Sequence, residues 1–219
     1  MLLIADEVMS GWFRTGTAFA MQNWNVAPDI MTTAKGASNA YTPVAITMTT
    51  EKVKSHFEDE FFCHGHTYAY HALALSAIPA AVAEYDKLIK SGLPQKTAGH
   101  LQKKLYELGD KHICVGDVRG IGHFWALEIV KNRKTKEPFD TKADKLRAKA
   151  LMTAQIAGEA MKNGLYMAPW YDTLVIAPPL IITEEQIDEA IDILDKALKV
   201  ADEQAVETDV AASHSSDYK

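Results

Sequence analysis

The sequence predicts two architectures in succession, an α/β segment up to Ser91 and an α+β segment beyond it. Three observations carry this expectation. Short apolar runs that end in polar residues alternate with stretches of helical spacing in the first part. Ser91-Gly92-Leu93-Pro94 is the sharpest break in the chain, because glycine and proline punctuate regular structure. After it, helical stretches enclose two strand-like runs, and a capped amphipathic helix closes the pattern. The expected limits are 1–91 and 92–205, with 206–219 as a disordered tail without periodicity. At 219 residues, 47% of them hydrophobic, the chain has ample material for a core.

Taken in order, Leu2-Leu3-Ile4-Ala5 is a continuous apolar run ending in Asp6-Glu7, as a buried parallel strand would. A strand so close to Met1 needs neighbours and covering helices. Either it is internal to its sheet and recruited late, or sequence upstream of it is missing. A loop from Ser10 to Thr17 follows, then a second strand beginning at Pro28-Asp29-Ile30-Met31 and closed by Ala34-Lys35-Gly36. Val44 to Met48 reads as a third strand and Glu51 to His56 as a short helix. Leu73, Ala77, Ala81, Tyr85 and Leu88 set a helical spacing from His71 to Lys90, with Pro79 kinking the helix or marking its start. Beyond the break come a helix to Asp110, strands around Gly116–Arg119 and Phe124–Val130, and a charged loop. The next helix, near Lys145–Lys162, stops at Asn163-Gly164. Thr183-Glu-Glu-Gln186 is a capping box, and Ile187, Ile191, Leu194 and Leu198 line one face of the final helix.

The formal charge of −6 argues against a nucleic-acid or anionic-membrane partner. No apolar run approaches the roughly eighteen residues that span a bilayer, and the first residues lack the pattern of a signal peptide. Cys63 and Cys114 make no disulfide framework and fit a reducing compartment, so a cytoplasmic location is expected.

Asp6 lies at the carboxyl end of an apolar strand, where open α/β sheets place ligands, and Lys35 also follows a strand. A carboxylate there needs a cation or hydrogen bonds, although an Asp can equally cap the next turn. Lys35 sits between the small residues Ala34 and Gly36, and a desolvated lysine amine is the usual nucleophile toward aldehydes. An exposed loop lysine is the plainer alternative. Cys63, His64, His66 and His71 offer four ligands that zinc could use, but their spacing matches no common structural-zinc pattern.

Context gives these residues a family. Asp6-Glu7-Val8 with Gly11, Arg14-Thr15-Gly16, Pro28-Asp29-Ile30-Met31 and Ala34-Lys35-Gly36 resemble the class III (omega) aminotransferases of fold type I. His64-Gly65-His66-Thr67-Tyr68 with His71-Ala72-Leu73-Ala74, Val118-Arg119-Gly120-Ile121-Gly122 and Ala177-Pro178-Pro179-Leu180-Ile181-Ile182-Thr183 extend the resemblance to about residue 204, in order and spacing. The resemblance implies the C-terminal part of the large domain of that fold, followed by the small C-terminal domain. It implies pyridoxal 5'-phosphate as cofactor and a homodimer with shared sites. Lys35 would hold the cofactor as a Schiff base and then move the substrate proton, and Asp6 would face the pyridine nitrogen and keep it protonated. Val8 would pack on the ring, and Thr67 would reach the phosphate held by the neighbouring subunit.

Departures from the family bear on the substrate. Met9 stands where the ornithine- and aminobutyrate-type branches usually carry a glutamine. Val175-Ile176-Ala177 and Met167-Ala168-Pro169 occupy places where carboxylate-gripping arginines occur in different branches. The pattern leans toward an amine or omega-amino acid donor and a small 2-oxoacid such as pyruvate. The family's phosphate loop and opposite ring wall belong to the half that precedes this strand, so a complementary N-terminal polypeptide is an expected partner. The alternatives are a non-catalytic fragment serving as a dimerising or interaction module, and another reaction on the same cofactor, such as an aminomutase or decarboxylase. Arg14 and Arg119 read as structural. Trp12, Trp24, Trp125 and Trp170 read as core or interface aromatics, with Trp12 and Trp170 the better placed to line a pocket.

Overall fold

The computed structural model describes residues 1–147 and 150–209. It divides into two compact units, Met1–Gln95 and Lys96 onward. In the first, strands β1 (Ile4–Asp6), β2 (Ile30–Thr33) and β3 (Ile46–Thr49) form a sheet in the order β1-β2-β3. β1 and β2 run parallel, with Asp6 opposite Thr32, whereas β3 is antiparallel to β2. Asp29 fixes the register, since its carboxylate accepts the Leu3 N–H at 2.8 Å while its own N–H donates to the Leu3 carbonyl.

The expectation of a strand buried on both faces fails at β1. Ala5 is buried, but Leu2, Leu3 and Ile4 are exposed, Ile4 at 62%. Among the described residues β1 is an edge strand that pairs with β2 alone, which leaves these apolar side chains exposed.

α1 (Glu51–Lys54) runs into a 3-10 turn, and the helix expected from His71 is interrupted, as α2 (Ala72–Leu75) and α3 (Ala77–Lys90). Pro79 explains the interruption. It has no N–H for the Leu75 carbonyl four residues back, and its ring crowds that carbonyl, so the regular ladder restarts with Pro79 in the first turn of α3. α4 (Leu93–Lys111) follows Gly92, whose φ of +73° makes the turn, with Pro94 in its first turn.

The second unit is an antiparallel sheet covered by helices. β4 (Val115–Ile121), β5 (Phe124–Asn132), β7 (Ala168–Trp170) and β8 (Thr173–Ile176) pair in the order β4-β5-β8-β7, and β6 (Glu137–Pro138) pairs with β5. Sequence reading misses β6, β7 and β8 because they are two to four residues long. Pro169 is compatible with a strand because β7 lies at the sheet edge. α5 (Lys142–Leu146) is capped by Thr141 with Asp144, and α6 (Met152–Lys162) begins later than expected, where Asp140 accepts the Met152 N–H at 2.7 Å. α7 (Glu184–Asp202) carries the expected capping box, closed by Thr183 and Gln186. Its Ile187, Leu194 and Leu198 are buried against Leu105, Leu127, Ile156 and Leu174, each worth about 1.5–3 kcal/mol of burial, while Ile191 packs at the margin.

Residues 206–209, expected as the start of a disordered tail, are described and partly paired. Val206 bridges to Asn132 at the end of β5, and the Asn132 side-chain amide donates to Thr208. Residues 210–219, the remainder of the expected disordered tail, lie outside the described residues.

Candidate active site

The parallel pairing of β1 and β2 brings two chemically useful residues to one sheet edge. Asp6 is the last residue of β1, and Lys35 lies just beyond the end of β2, three residues past the partner of Asp6. This is the carboxyl end of parallel strands, where open α/β sheets hold ligands. Asp6 folds into an Asx turn in which its Oδ1 accepts the Val8 N–H at 3.0 Å. That contact orients the carboxylate and places the half-buried Val8 beside it. Both Asp6 and Lys35 are exposed.

Between them lies a residue whose role the sequence did not reveal. Glu7 is fully buried and its carboxylate accepts hydrogen bonds from Ser10 Oγ, the Ala20 N–H and the Met21 N–H, at 2.5 to 2.9 Å. The last two are open donors at the start of the 3-10 helix Ala20–Trp24, so Glu7 stitches that turn to the sheet. Donors thirteen and fourteen residues away leave no local signal.

The Lys35 turn is built unusually. Lys35 has φ +38° and opens a 3-10 turn, Lys35–Ala37, and Asn39 and Ala40 also have positive φ. Left-handed backbone costs a side-chain-bearing residue about 1–2 kcal/mol, so the surroundings must impose it. They do so at Gly36 and Thr33. A Cβ on Gly36 would lie 2.6 Å from Trp12 Cβ, and the Gly36 carbonyl accepts the Tyr85 hydroxyl at 2.9 Å. The Trp12 indole donates to Thr33 Oγ1 at 2.7 Å, and its ring stacks on Tyr85 and meets the edge of Phe19. Trp12, partly buried, therefore packs against the lysine turn. Arg14, read as structural, is half-buried near Tyr85; burial lowers its pKa, with the Tyr85 phenol opposing. Burial raises the Tyr85 pKa, and the Arg14 guanidinium partly offsets this.

Thr67 is not gathered with the others. It lies in an exposed loop, and residues 61–71 are exposed throughout. His71 accepts the Ala74 N–H as the cap of α2, and among the described residues no three His, Cys, Asp or Glu side chains converge as a metal ion requires. In the second unit Arg119 is paired with Asp117 and Glu128 on adjacent strands. Gly120 is required beside it, since a Cβ there would meet the Phe124 carbonyl at 2.3 Å. Trp170 is 58% exposed on β7.

Several solved structures similar to this chain are transaminases. The taurine:2-oxoglutarate aminotransferase from Bifidobacterium kashiwanohense, solved in complex with PLP and glutamate, superposes with a TM-score of 0.82 at 38% identity over 93% of this chain and 45% of that one. An amine transaminase from an uncultivated Pseudomonas species, in its PLP-bound form, gives 0.82 at 30%, covering 92% and 45%. The chain belongs to the family described as Aminotransferase class-III, whose profile matches residues 1–198. Among curated relatives, the putrescine–pyruvate aminotransferase of Pseudomonas aeruginosa is 38% identical over 90% of this chain and 42% of its own length. The taurine–pyruvate aminotransferase of Bilophila wadsworthia is 36% identical over 93% and 46%. The chain thus spans less than half the length of these relatives.

Proposed function

We propose that this chain contributes the lysine-bearing part of a pyridoxal-phosphate-dependent transaminase site, which passes an amino group from an amine or omega-amino acid to pyruvate or a similar 2-oxoacid. The carrying observation is the strand-end pair, Asp6 beside β2 and Lys35 held at φ +38° just beyond it. Functional sites tend to hold backbone away from its resting conformation, and family membership gives this instance a chemistry. The donor set also fits. A carboxylate matches a pyridinium N–H, and a lysine amine matches an aldehyde carbon.

When bound, pyridoxal phosphate would supply an electron sink for the bonds at the substrate carbon. The work of the chain is to prepare for that. Asp6 would hold a proton on the pyridine nitrogen by charge and hydrogen bonding, from a carboxylate already oriented by Val8 N–H. Val8 would cover one ring face. Lys35 Nζ would anchor the cofactor and, once displaced by the incoming amine, would carry the proton from the substrate carbon to the cofactor carbon C4′. Thr67, exposed on its loop, suits a contact with the phosphate held by a second copy in a homodimer.

Competence would further require a complementary N-terminal polypeptide to cradle the phosphate and cover the sheet. The exposed Leu2, Leu3 and Ile4 on the edge strand support that reading, because apolar edge residues favour a covering partner. No described helix is long and apolar enough to cross a membrane, and the free cysteines Cys63 and Cys114 fit a cytoplasmic location. The test is reconstitution. The chain mixed with an N-terminal half, pyridoxal phosphate, an amine donor and pyruvate should form alanine, and Lys35→Ala should abolish it. Alanine formation by Lys35→Ala at the wild-type rate would remove the lysine from the mechanism.

A further inference from the structure

We propose that Trp12 and Tyr85 are positioning residues that clamp the lysine turn and thereby set how readily the Lys35 amine reacts with an aldehyde. The proposal rests on the reading of Lys35 as the cofactor lysine. The clamp holds the turn from both sides. Upstream, Trp12 donates its indole N–H to Thr33 Oγ1 at 2.7 Å, two residues before the lysine. Downstream, Tyr85 donates its hydroxyl to the Gly36 carbonyl at 2.9 Å, one residue after it.

The two rings are stacked, with centroids 6.1 Å apart and planes 25° from parallel, so movement of one disturbs the other. The Trp12 side chain also fills the space that a Gly36 Cβ would need, which makes its fit against the turn close. Between these tethers Lys35 keeps a backbone conformation that a lysine does not adopt when free. Released from either tether, the turn relaxes toward negative φ and the root of the Lys35 side chain moves with it. Burial keeps the Tyr85 phenol protonated at neutral pH, and so able to donate.

A merely structural pair would affect stability alone. The 219-residue chain is incubated with pyridoxal phosphate below saturation over a series of pH values and reduced with borohydride. Mass spectrometry then gives the fraction of Lys35 modified. Tyr85→Phe deletes one oxygen and keeps the stack; Trp12→Phe deletes the indole donor. Tyr106→Phe, in the second unit, is the control. Labelling of Lys35 is expected to fall about fivefold in Tyr85→Phe, the factor carried by one hydrogen bond, with a displaced pH of half-labelling. Exchange of the Ala40 amide, which donates to the Lys35 carbonyl, should quicken as well. Tyr106→Phe should match wild type. Wild-type labelling and half-labelling pH in both variants would overturn the proposal and leave the cofactor reading standing. A Lys35 left unlabelled in the wild-type chain, both alone and with an N-terminal half, would overturn the cofactor reading, and the proposal with it. Where Trp12→Phe fails to fold, Tyr85→Phe alone decides.

Discussion

Glu7 and Asp6 are adjacent carboxylates with opposite fates. Alternation along β1 sends the Glu7 side chain into the molecule, where three donors meet it, and leaves Asp6 at the exposed sheet edge beside Val8 N–H. Their substitutions should therefore separate. Glu7→Ala strands two backbone N–H groups at the start of the Ala20–Trp24 turn and should cost about 3 kcal/mol of stability, read from the urea midpoint. Asp6→Asn should leave the midpoint within about 0.5 kcal/mol of wild type, as surface changes do. In the reconstituted enzyme it should nonetheless reduce alanine formation by at least about tenfold, because the negative charge proposed to face the ring is gone. A loss of stability in Asp6→Asn matching that of Glu7→Ala would show that Asp6 serves the fold. Lys35 and Asp6 were legible as candidates because each falls in a motif that resembles the family's; Glu7 and Tyr85 were not, since their partners lie far along the chain.

At the level of elements, the longest periodic patterns transferred well from sequence and the shortest did not. α7 and its capping box, β4 and β5 could be read directly, whereas β7 and β8 have too few residues to display a period. The single helix expected from His71 is split because the carbonyl that Pro79 leaves unpaired sits four residues upstream of the proline itself. The junction of α4 with β4 contains a cluster of paired charges. His112 is buried between Asp195 and Asp202 of α7, at 3.0 and 2.5 Å, and Asp202 also accepts the Cys114 N–H. Burial pushes both carboxyls upward, but their hydrogen bonds win and leave them below the ordinary range, through Lys111 and His112 at Asp195 and through Cys114 and His112 at Asp202. A depressed folded-state value means stability that is present above the unfolded pKa, near 4, and is lost as pH falls through the lower folded values. The melting temperature should therefore drop below about pH 4, and Asp202→Asn should flatten that acid limb while lowering the melting temperature at neutral pH. An unchanged acid limb in the variant would assign the loss to other carboxylates. Gly120→Ala should cost about 2 kcal/mol or more, since its Cβ would meet backbone that cannot step aside.

At the scale of the whole molecule, the two units place different demands on their surroundings. The second buries a continuous core of its own, built from α4, α6, α7 and the antiparallel sheet. The first carries the strand-end pair on a three-stranded sheet whose leading strand exposes Leu2, Leu3 and Ile4. The chain spans less than half the length of its relatives, and exposed apolar edge residues favour a covering partner. The fold family was legible in the sequence because its motifs recur in order. The exposure of β1 was not, because an apolar run signals an appetite for burial and says nothing of what is present to satisfy it. The central claim is that Lys35 is the amine that takes up the cofactor, and it can be measured directly. The chain, alone and with its N-terminal complement, is treated with pyridoxal phosphate, reduced with borohydride and mapped by mass spectrometry. Modification concentrated at Lys35, stronger with the complement and weakened in Asp6→Asn, is the predicted result. Modification scattered over the surface lysines in both preparations, with Lys35 no more labelled than the rest, would contradict it.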